Sequence, residues 1–401
     1  MMESEKYDAI IVGGGPAGSM AALELAKAGK QVLMIDKKKE LGVPVRCGEG
    51  LGIHWVEELG LKISDRAVSC NVNGAYLFSP SLKKLSIKNS ESKGYVLDRK
   101  VFDRELAMNA ARKGAELMIK TEVLGIGEYK NGTRKVKVEH MGEEKNLEAN
   151  VVIACDGGES TAARMAGIES FSNLYDTDFG VEYEMVNVDV EDAIEIYFTN
   201  KYAPRGYVWI FPKGKDVANV GVGIGGHVKG PALRYLEMWM KDERIRGRLK
   251  RAQITAVKAG MIPVCEPLKK MVLDGFMVAG TAAHQVDPIH GGGIGLAMEA
   301  GMIAGKTAAD CIENGSCLEK DLEKYVRDWK AKRGRRFKKR VALRKALEAM
   351  NDEDLDFIFG VLENKDLDKV IAEDYLDAVK KVITGRPSLL KVLKPLVEGM
   401  L

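Results

Sequence analysis

Cys47 stands in VRCGEGLG (45–52), between Arg46 and Gly48, with Gly50 and Gly52 at alternate positions. Glycine at this density makes a poor helix or strand, so the stretch reads as a loop whose backbone approaches something closely. The thiol is either a group that takes part in chemistry, favoured as thiolate by a cation such as Arg46 if the two meet in space, or a small packing residue. A second stretch, APRGYVWIFPKGKDVANVGVGIGG (203–226), alternates Tyr207, Trp209 and Phe211, which places three aromatics on one face of a strand. Pro212 ends the run, and Gly221 and Gly223 alternate in the strand that follows. Aromatics opposite bare glycines form either a long apolar slot or ordinary cross-strand packing. In a slot, the ring faces of Tyr207 and Trp209 would stabilise a developing positive charge. His284 and His290 flank a later glycine-rich loop, where His290 is a proton donor near neutral pH or a loop cap.

The clearest cofactor signal is YDAIIVGGGPAGSMAALELAKAGKQVLMID (7–36). A short apolar strand over 7–12 leads into Gly13, Gly15 and Gly18, which fit GxGxxG; a helical run then reaches Lys27, and a strand over 31–35 ends in Asp36. That order is the full context of a dinucleotide site rather than an isolated glycine pattern. Gly13 permits the tight turn, Gly15 lets backbone approach a pyrophosphate, and Gly18 lets the helix pack closely on the strand. The helix N-terminus offers unpaired N–H groups to the anion, and Asp36 can accept from ribose hydroxyls. FAD and NAD fit this fingerprint equally.

Three distant stretches carry a resemblance that decides between them. YVLDRKVFDRELAMNAARKGAEL (95–117) holds Arg99 ahead of an amphipathic helix; NVVIACDGGESTAAR (150–164) is a strand ending in Asp156-Gly157; DGFMVAGTAAHQVDPIHGGGIGLAMEAG (274–301) is a strand, a turn, a glycine-rich loop and a helix starting near Gly293. With 7–36, in this order, they resemble the flavoprotein monooxygenase superfamily of the hydroxybenzoate-hydroxylase fold. The resemblance implies FAD, with contacts from Gly13, Gly15, Ala17, Gly18, Asp36, Cys47, Gly48, Gly50, Arg99, Val123, Asp156, Gly280, Thr281, Gly292, Gly293 and Ile294. It also implies that the late helix sets its positive end beside the flavin. Two positions depart from the pattern. Gly280-Thr281 stands where Gly-Asp is usual, and Ala163, with Arg164 next, stands where an arginine is usual. Both departures argue against a typical nicotinamide-driven hydroxylase.

The hairpin spacing of Tyr, Trp, Phe-Pro and Gly-x-Gly, together with PVRCGEGL, is similar to the geranylgeranyl reductase family. That resemblance implies an FAD-dependent oxidoreductase acting on CH–CH groups, which saturates the isoprenoid double bonds of geranylgeranyl chains in archaeal ether phospholipids. An isolated trisubstituted alkene is unactivated, so its reduction needs a hydride from reduced flavin and a proton from elsewhere. Cys47, Tyr207 and Trp209 are then expected at the reaction, and Tyr207, Trp209, Phe211, Gly221, Gly223 and His290 along the lipid. Two other classes compete: a flavin-dependent monooxygenase or halogenase on the same fold, against which the aromatic and glycine slot argues, and an electron-transfer flavoprotein. No second GxGxxG serves NAD(P)H, so reduced ferredoxin or deazaflavin is an expected electron donor beside NAD(P)H itself.

These residues need an α/β architecture: a Rossmann-like FAD-binding domain (1–70, 96–170 and 270–315), an inserted antiparallel β-sheet substrate domain (71–95 and 171–269) and a helical C-terminal domain (316–401). The 401 residues are 46% hydrophobic and 30% charged, which suits a soluble globular chain. A net charge of +3 gives no argument for nucleic acid. The six cysteines lack CxxC or histidine partners at metal spacing and read as reduced thiols of a cytoplasmic protein. Neither a bilayer-spanning run nor a signal peptide is evident. Between 327 and 345, eleven basic residues stand against Asp328 alone, with Tyr325, Trp329, Phe337 and Val341 at multiples of four. That helix either packs its apolar face on its own protein or meets anionic lipid or a substrate phosphate. Gly334 is expected to interrupt it.

Overall fold

Strands covered on both faces are nearly continuous in apolar residues. Val32–Asp36 and the ends of Glu5–Val12 and Glu143–Ala154 have that character, and they are neighbours in one sheet of the computed structural model, which describes residues 5–88, 93–371 and 376–398. The sheet runs Val272–Leu273, Phe276–Val278, Glu143–Ala154, Glu5–Val12, Val32–Asp36, Glu116–Ile119. Its central pairings are parallel, with Val12 opposite both Ala154 and Ile35, and Ala154 opposite Val278. Gly13, Asp36, Asp156 and Gly280 therefore leave the sheet at the carboxyl ends of four neighbouring strands, where open α/β sheets bind their ligands. This sheet belongs to the first of two compact units, Met1–Val45, Arg99–Ser172 and Pro263–Phe337.

Two helices begin at that edge, Pro16–Lys27 and Ile294–Glu313. They pack backbone to backbone. A Cβ on Gly301 would overlap the carbonyl oxygen of Ala17, and one on Gly305 would lie 2.6 Å from that of Ala21.

The second unit comprises Arg46–Asp98, Asn173–Ile262 and Lys338–Leu401. Residues 46–70 thus fold in the second unit, where Gly50–Gly52 pairs with Gly94–Leu97, which in turn pairs with Val68–Val72. The main sheet here runs Gln253–Pro263, Thr177–Val186, Val217–Gly225, Tyr207–Pro212, Ile194–Tyr197, Ala75–Phe78, Lys84–Ile87. Period-two alternation gives it two distinct faces. Val181, Tyr183, Val208, Ile210, Val220 and Val222 form a core with Leu236 and Trp239 of the helix Ala232–Met240. The other face carries Tyr207, Trp209, Phe211, Gly221, Gly223 and two glutamates.

The C-terminal helices do not stand apart. Glu319–Glu348 is one helix of 30 residues and runs through Gly334 without a break. One glycine costs a helix about 1 kcal/mol, which buried anchors offset: Tyr325, Trp329 and Phe337 are all inside, and Tyr325 Oη donates to Val278 O at 2.9 Å. The apolar stripe packs on its own protein. Among the described residues no helix is long and apolar enough to cross a membrane.

Candidate active site

The dinucleotide turn is built as its glycines require. Gly13 has φ +104°, and a Cβ there would come within 2.5 Å of Cys155 O on the neighbouring strand. A Cβ on Gly18 would overlap Gly13 O, so the helix can start where it does only without a side chain. Gly15 has nothing within 4 Å of the place its Cβ would take. It is the N-cap of Pro16–Lys27 and faces open space, as an anion site needs. Asp36 accepts from Gly14 N–H and Lys38 N–H, both at 2.8 Å, and so fixes the turn. Arg99 forms a bidentate pair with Asp103 at 2.7 and 2.8 Å. Its backbone lies against Gly42, where a Cβ would be 2.8 Å from Arg99 O. Val123 follows Lys120, whose N–H donates to Lys38 O at 2.8 Å, so that strand begins beside the Asp36 end.

Asp156 gives the sharpest sign of a missing partner. Its Oδ2 accepts from Ala162 N–H at 2.9 Å, but Oδ1 is buried with no hydrogen-bond partner among the described residues. Burial pushes this carboxyl above its usual range, with bonds from backbone N–H groups opposing the shift. A donor from a bound group would satisfy it. Gly280 (φ +72°) closes against Ala17, Thr281 Oγ1 lies 3.7 Å from the Cβ position of Gly293, and Gly293 is the N-cap of Ile294–Glu313. Ala17, Gly280, Thr281, Gly293 and Ile294 are thereby gathered at the second helix N-terminus.

In the second unit, Trp209 is opposite Gly221, and Gly221 is opposite Glu182 on the next strand. The indole occupies the space a side chain on Gly221 would need, and its far edge lies 3.7–3.8 Å from the Cβ positions of Gly180 and Gly223. The glycines therefore seat Trp209 first. The rings form a ladder, with Tyr207–Trp209 centroids 5.8 Å apart and Trp209–Phe211 centroids 6.1 Å apart. The loop of Cys47 lies on its end: Cβ positions of Gly48 and Gly50 are 3.2 and 3.4 Å from the Phe211 ring. Cys47 Sγ accepts from Glu49 N–H at 3.2 Å.

Beneath this row lies a buried ionic cluster. Lys213 Nζ donates to Glu49 Oε2 at 2.6 Å and Glu184 Oε2 at 3.0 Å; Lys258 Nζ donates to the same two atoms at 2.8 and 3.0 Å. Asn219 donates to Glu49 at 2.7 Å and accepts from Lys258 at 3.0 Å. Burial alone would raise the Glu49 carboxyl, but Lys213 and Lys258 outweigh it and hold it below the usual range. Burial pushes Glu182 the other way, up to about 7; Lys258 opposes that shift and Glu49 adds to it.

The chain matches the FAD binding domain family over residues 6–336. It is 42% identical over 399 residues to the digeranylgeranylglycerophospholipid reductase of Methanocaldococcus jannaschii, covering 98% of this chain and 99% of the relative. Identity is 38% over 401 residues with the protein of the same name from Methanococcus vannielii, covering 98% and 99%. A solved structure of a geranylgeranyl bacteriochlorophyll reductase-like protein from Thermoplasma acidophilum superposes with a TM-score of 0.88 at 33% identity, over 98% of this chain and all of that one. The chain belongs to the digeranylgeranylglycerophospholipid reductase family.

This reductase is a flavoprotein oxidoreductase, and its cofactor is FAD. The open N-terminus at Gly15 and the orphaned Asp156 Oδ1 both fit that group. The usual arginine position, here Ala163, is buried, while Arg164 caps Glu159 O and Ser160 O and stacks on Phe171 at 4.3 Å. His290 is exposed; its Nδ1 accepts from Gly292 N–H at 3.1 Å and its Nε2 faces Asp287 at 3.4 Å, which is loop-capping geometry. His284 ties loops together through Ser170 O at 3.0 Å and Cys265 Sγ at 3.3 Å. Sequence reasoning missed Glu182, Glu184, Lys213, Lys258, Asn219 and the part Glu49 takes in this cluster. The available signal was Glu182 and Glu184 at alternate positions in an apolar strand, on the face its core does not use.

Proposed function

We propose that this reductase saturates the double bonds of geranylgeranyl chains in an archaeal ether phospholipid, holding the lipid along the row of Tyr207, Trp209 and Phe211. The observation that carries the reading is near-full-length kinship with reductases of that name. Gly13, Gly15, Ala17, Gly18, Asp36, Arg99, Val123, Asp156, Gly280, Thr281, Gly292, Gly293 and Ile294 would hold FAD, together with Cys47, Gly48 and Gly50 of the loop on Phe211. Bound and reduced, FAD supplies the hydride. The chain's own residues supply the rest. The aromatic row offers an apolar wall that excludes water, and the faces of Tyr207 and Trp209 stabilise positive charge at the more substituted carbon. Gly221 and Gly223 leave out side-chain bulk along the row, Cys47 positions the alkene, and His290 lies along the lipid. Reduced ferredoxin, deazaflavin or NAD(P)H supplies the electrons.

The decisive experiment is a single turnover without oxygen. Reduced holoprotein is expected to be reoxidised by digeranylgeranylglyceryl phospholipid, and Trp209→Ala to slow this by about 100-fold, the scale of a lost positioning contact. Product that forms only with oxygen would mean a monooxygenase or halogenase. Reoxidation by a protein acceptor alone would mean electron transfer.

Lys330, Lys332, Arg335, Lys338 and Lys345 are exposed on the long helix, while its apolar stripe is buried. Contact with the inner face of the membrane would then be electrostatic, worth about 1 kcal/mol per basic residue near an anionic surface. Cosedimentation with vesicles of anionic phospholipid is expected at low salt and is lost by about 0.5 M, where screening is short-ranged. Absence of binding at every salt concentration would leave this helix a packing element.

A further inference from the structure

Saturating an alkene needs a proton as well as a hydride. We propose that Glu182 is the proton reservoir, facing the aromatic row, and that Lys258 and Glu184 refill it from solvent; this rests on the reductase reading. Glu182, Gly221 and Trp209 form one cross-strand row. Glu182 Oε2 accepts from the Trp209 indole N–H at 3.0 Å, and Oε1 lies 3.4 Å from Lys258 Nζ. Oε2 is also 3.6 Å from the Cβ position of Gly48, and the Glu182 Cβ is 2.6 Å from that of Gly221. The carboxyl therefore lies beneath both glycine stretches, at 3% exposure. A side chain at Gly221 would collide with the Glu182 Cβ, and one at Gly48 would begin in van der Waals contact with the carboxylate.

A chain of ion pairs leads outward, beginning at the 3.4 Å contact between Glu182 Oε1 and Lys258 Nζ. Lys258 joins Glu182 to Glu49 and Glu184, Lys213 joins the same two carboxylates, and the Glu184 side chain is 27% exposed. Two lysines balance two ionised carboxylates, Glu49 and Glu184, so the cluster is neutral when Glu182 is protonated and carries an extra negative charge when it is not. Asn219 adds no charge. Burying an uncompensated charge is costly, which is why Glu182 keeps its proton to about pH 7.

The step balances. The π bond breaks; one carbon forms a C–H bond with the hydride, taking both electrons from the reduced flavin, and the other forms a C–H bond with the proton from Glu182. Glu182 is left as carboxylate, and a solvent proton entering at Glu184 restores it through Lys258.

The test is anaerobic single-turnover reoxidation by digeranylgeranylglyceryl phospholipid across a pH series. The wild-type rate is expected to fall above about pH 7, and Glu182→Gln to be about 100-fold slower with a flat profile, the usual span for a lost general acid. Glu182→Asp is expected to restore the pH dependence and most of the rate. Wild-type rates and profile in Glu182→Gln would overturn the proposal. A readout independent of turnover is the infrared band of a protonated carboxyl that titrates near neutrality. Burial also raises Asp178 to about 7, so the Glu182 band is assigned by its shift in Glu182→Asp. No such shifting band would overturn the proposal even if Glu182→Gln lost FAD. If the lipid fails to reoxidise the wild type at any pH, the substrate reading falls, and the infrared titration still decides the state of Glu182.

Discussion

Gly18→Ala is expected to give a protein that purifies without flavin and melts several degrees lower even when compared as apoprotein. The added methyl would overlap Gly13 O and come 3.2 Å from Ile11 Cγ2. The first obstacle is backbone, so no rotamer change relieves it, and the helix must shift away from the strand that positions it. Overpacking costs about 1–3 kcal/mol and occasionally more; a backbone clash belongs at the upper end. For units of this size each kcal/mol lowers Tm by about 2–4 °C. Gly301→Ala should behave alike, because it meets Ala17 O on the same helix from the other side. Gly15→Ala is the informative contrast. Its methyl would enter open space in the apoprotein, so the apoprotein Tm should be unchanged. Flavin retention should still fall by at least about tenfold, the scale of about 1.4 kcal/mol, since that space is where the pyrophosphate approaches. Flavin absorbance after dialysis and thermal melts of the apoproteins separate the two effects. Equal Tm losses in Gly15→Ala and Gly18→Ala would refute the assignment of these roles.

The contrast also shows why one part of the site was legible in the sequence and another was not. The roles of Gly13, Gly15 and Gly18 are fixed by neighbours within a few residues, so spacing alone reveals them. The hairpin was legible for the same reason: period two placed Tyr207, Trp209 and Phe211 together, and the strand turns back almost at once. What spacing could not say was that Trp209 itself fills the space over Gly221, because an aromatic beside a glycine fits a slot and a packed pair equally. Gly301 and Gly305 were readable as two bare positions one turn apart on a helix, but their partner helix is near the other end of the chain. The ionic cluster was beyond reach. Glu49 is 164 residues from Lys213 and 209 from Lys258, and each looks like an ordinary surface charge until the sheet closes. Gly334 was over-read: a weak local preference yields to the buried aromatics on either side of it.

Glu49→Gln is expected to destabilise the second unit by about 3–5 kcal/mol, the cost of leaving buried charges without their partner. Glu49 is 1% exposed and faces Lys213 and Lys258 together. It also has φ +72°, a conformation that costs a side-chain-bearing residue about 1–2 kcal/mol and glycine almost nothing. Glu49→Gly should therefore be more stable than Glu49→Ala by about 1 kcal/mol, although both lack the carboxylate. The pH dependence has a definite sign. The folded Glu49 pKa lies below its unfolded value, so its contribution is complete above the usual carboxylate range and disappears as pH falls through the lowered folded pKa. Glu182 works in the opposite sense: its raised pKa means the folded state holds an extra proton, so stability declines as pH rises from the usual carboxylate range to about 7. Removing the Glu49 charge also removes one cause of the raised Glu182 pKa. In a Glu49→Gln protein that still binds FAD, the alkaline limb of the reoxidation profile should consequently move to lower pH. A purely structural role for the cluster predicts lost stability with the profile unmoved; a shifted limb ties the same carboxylates to delivery of the proton.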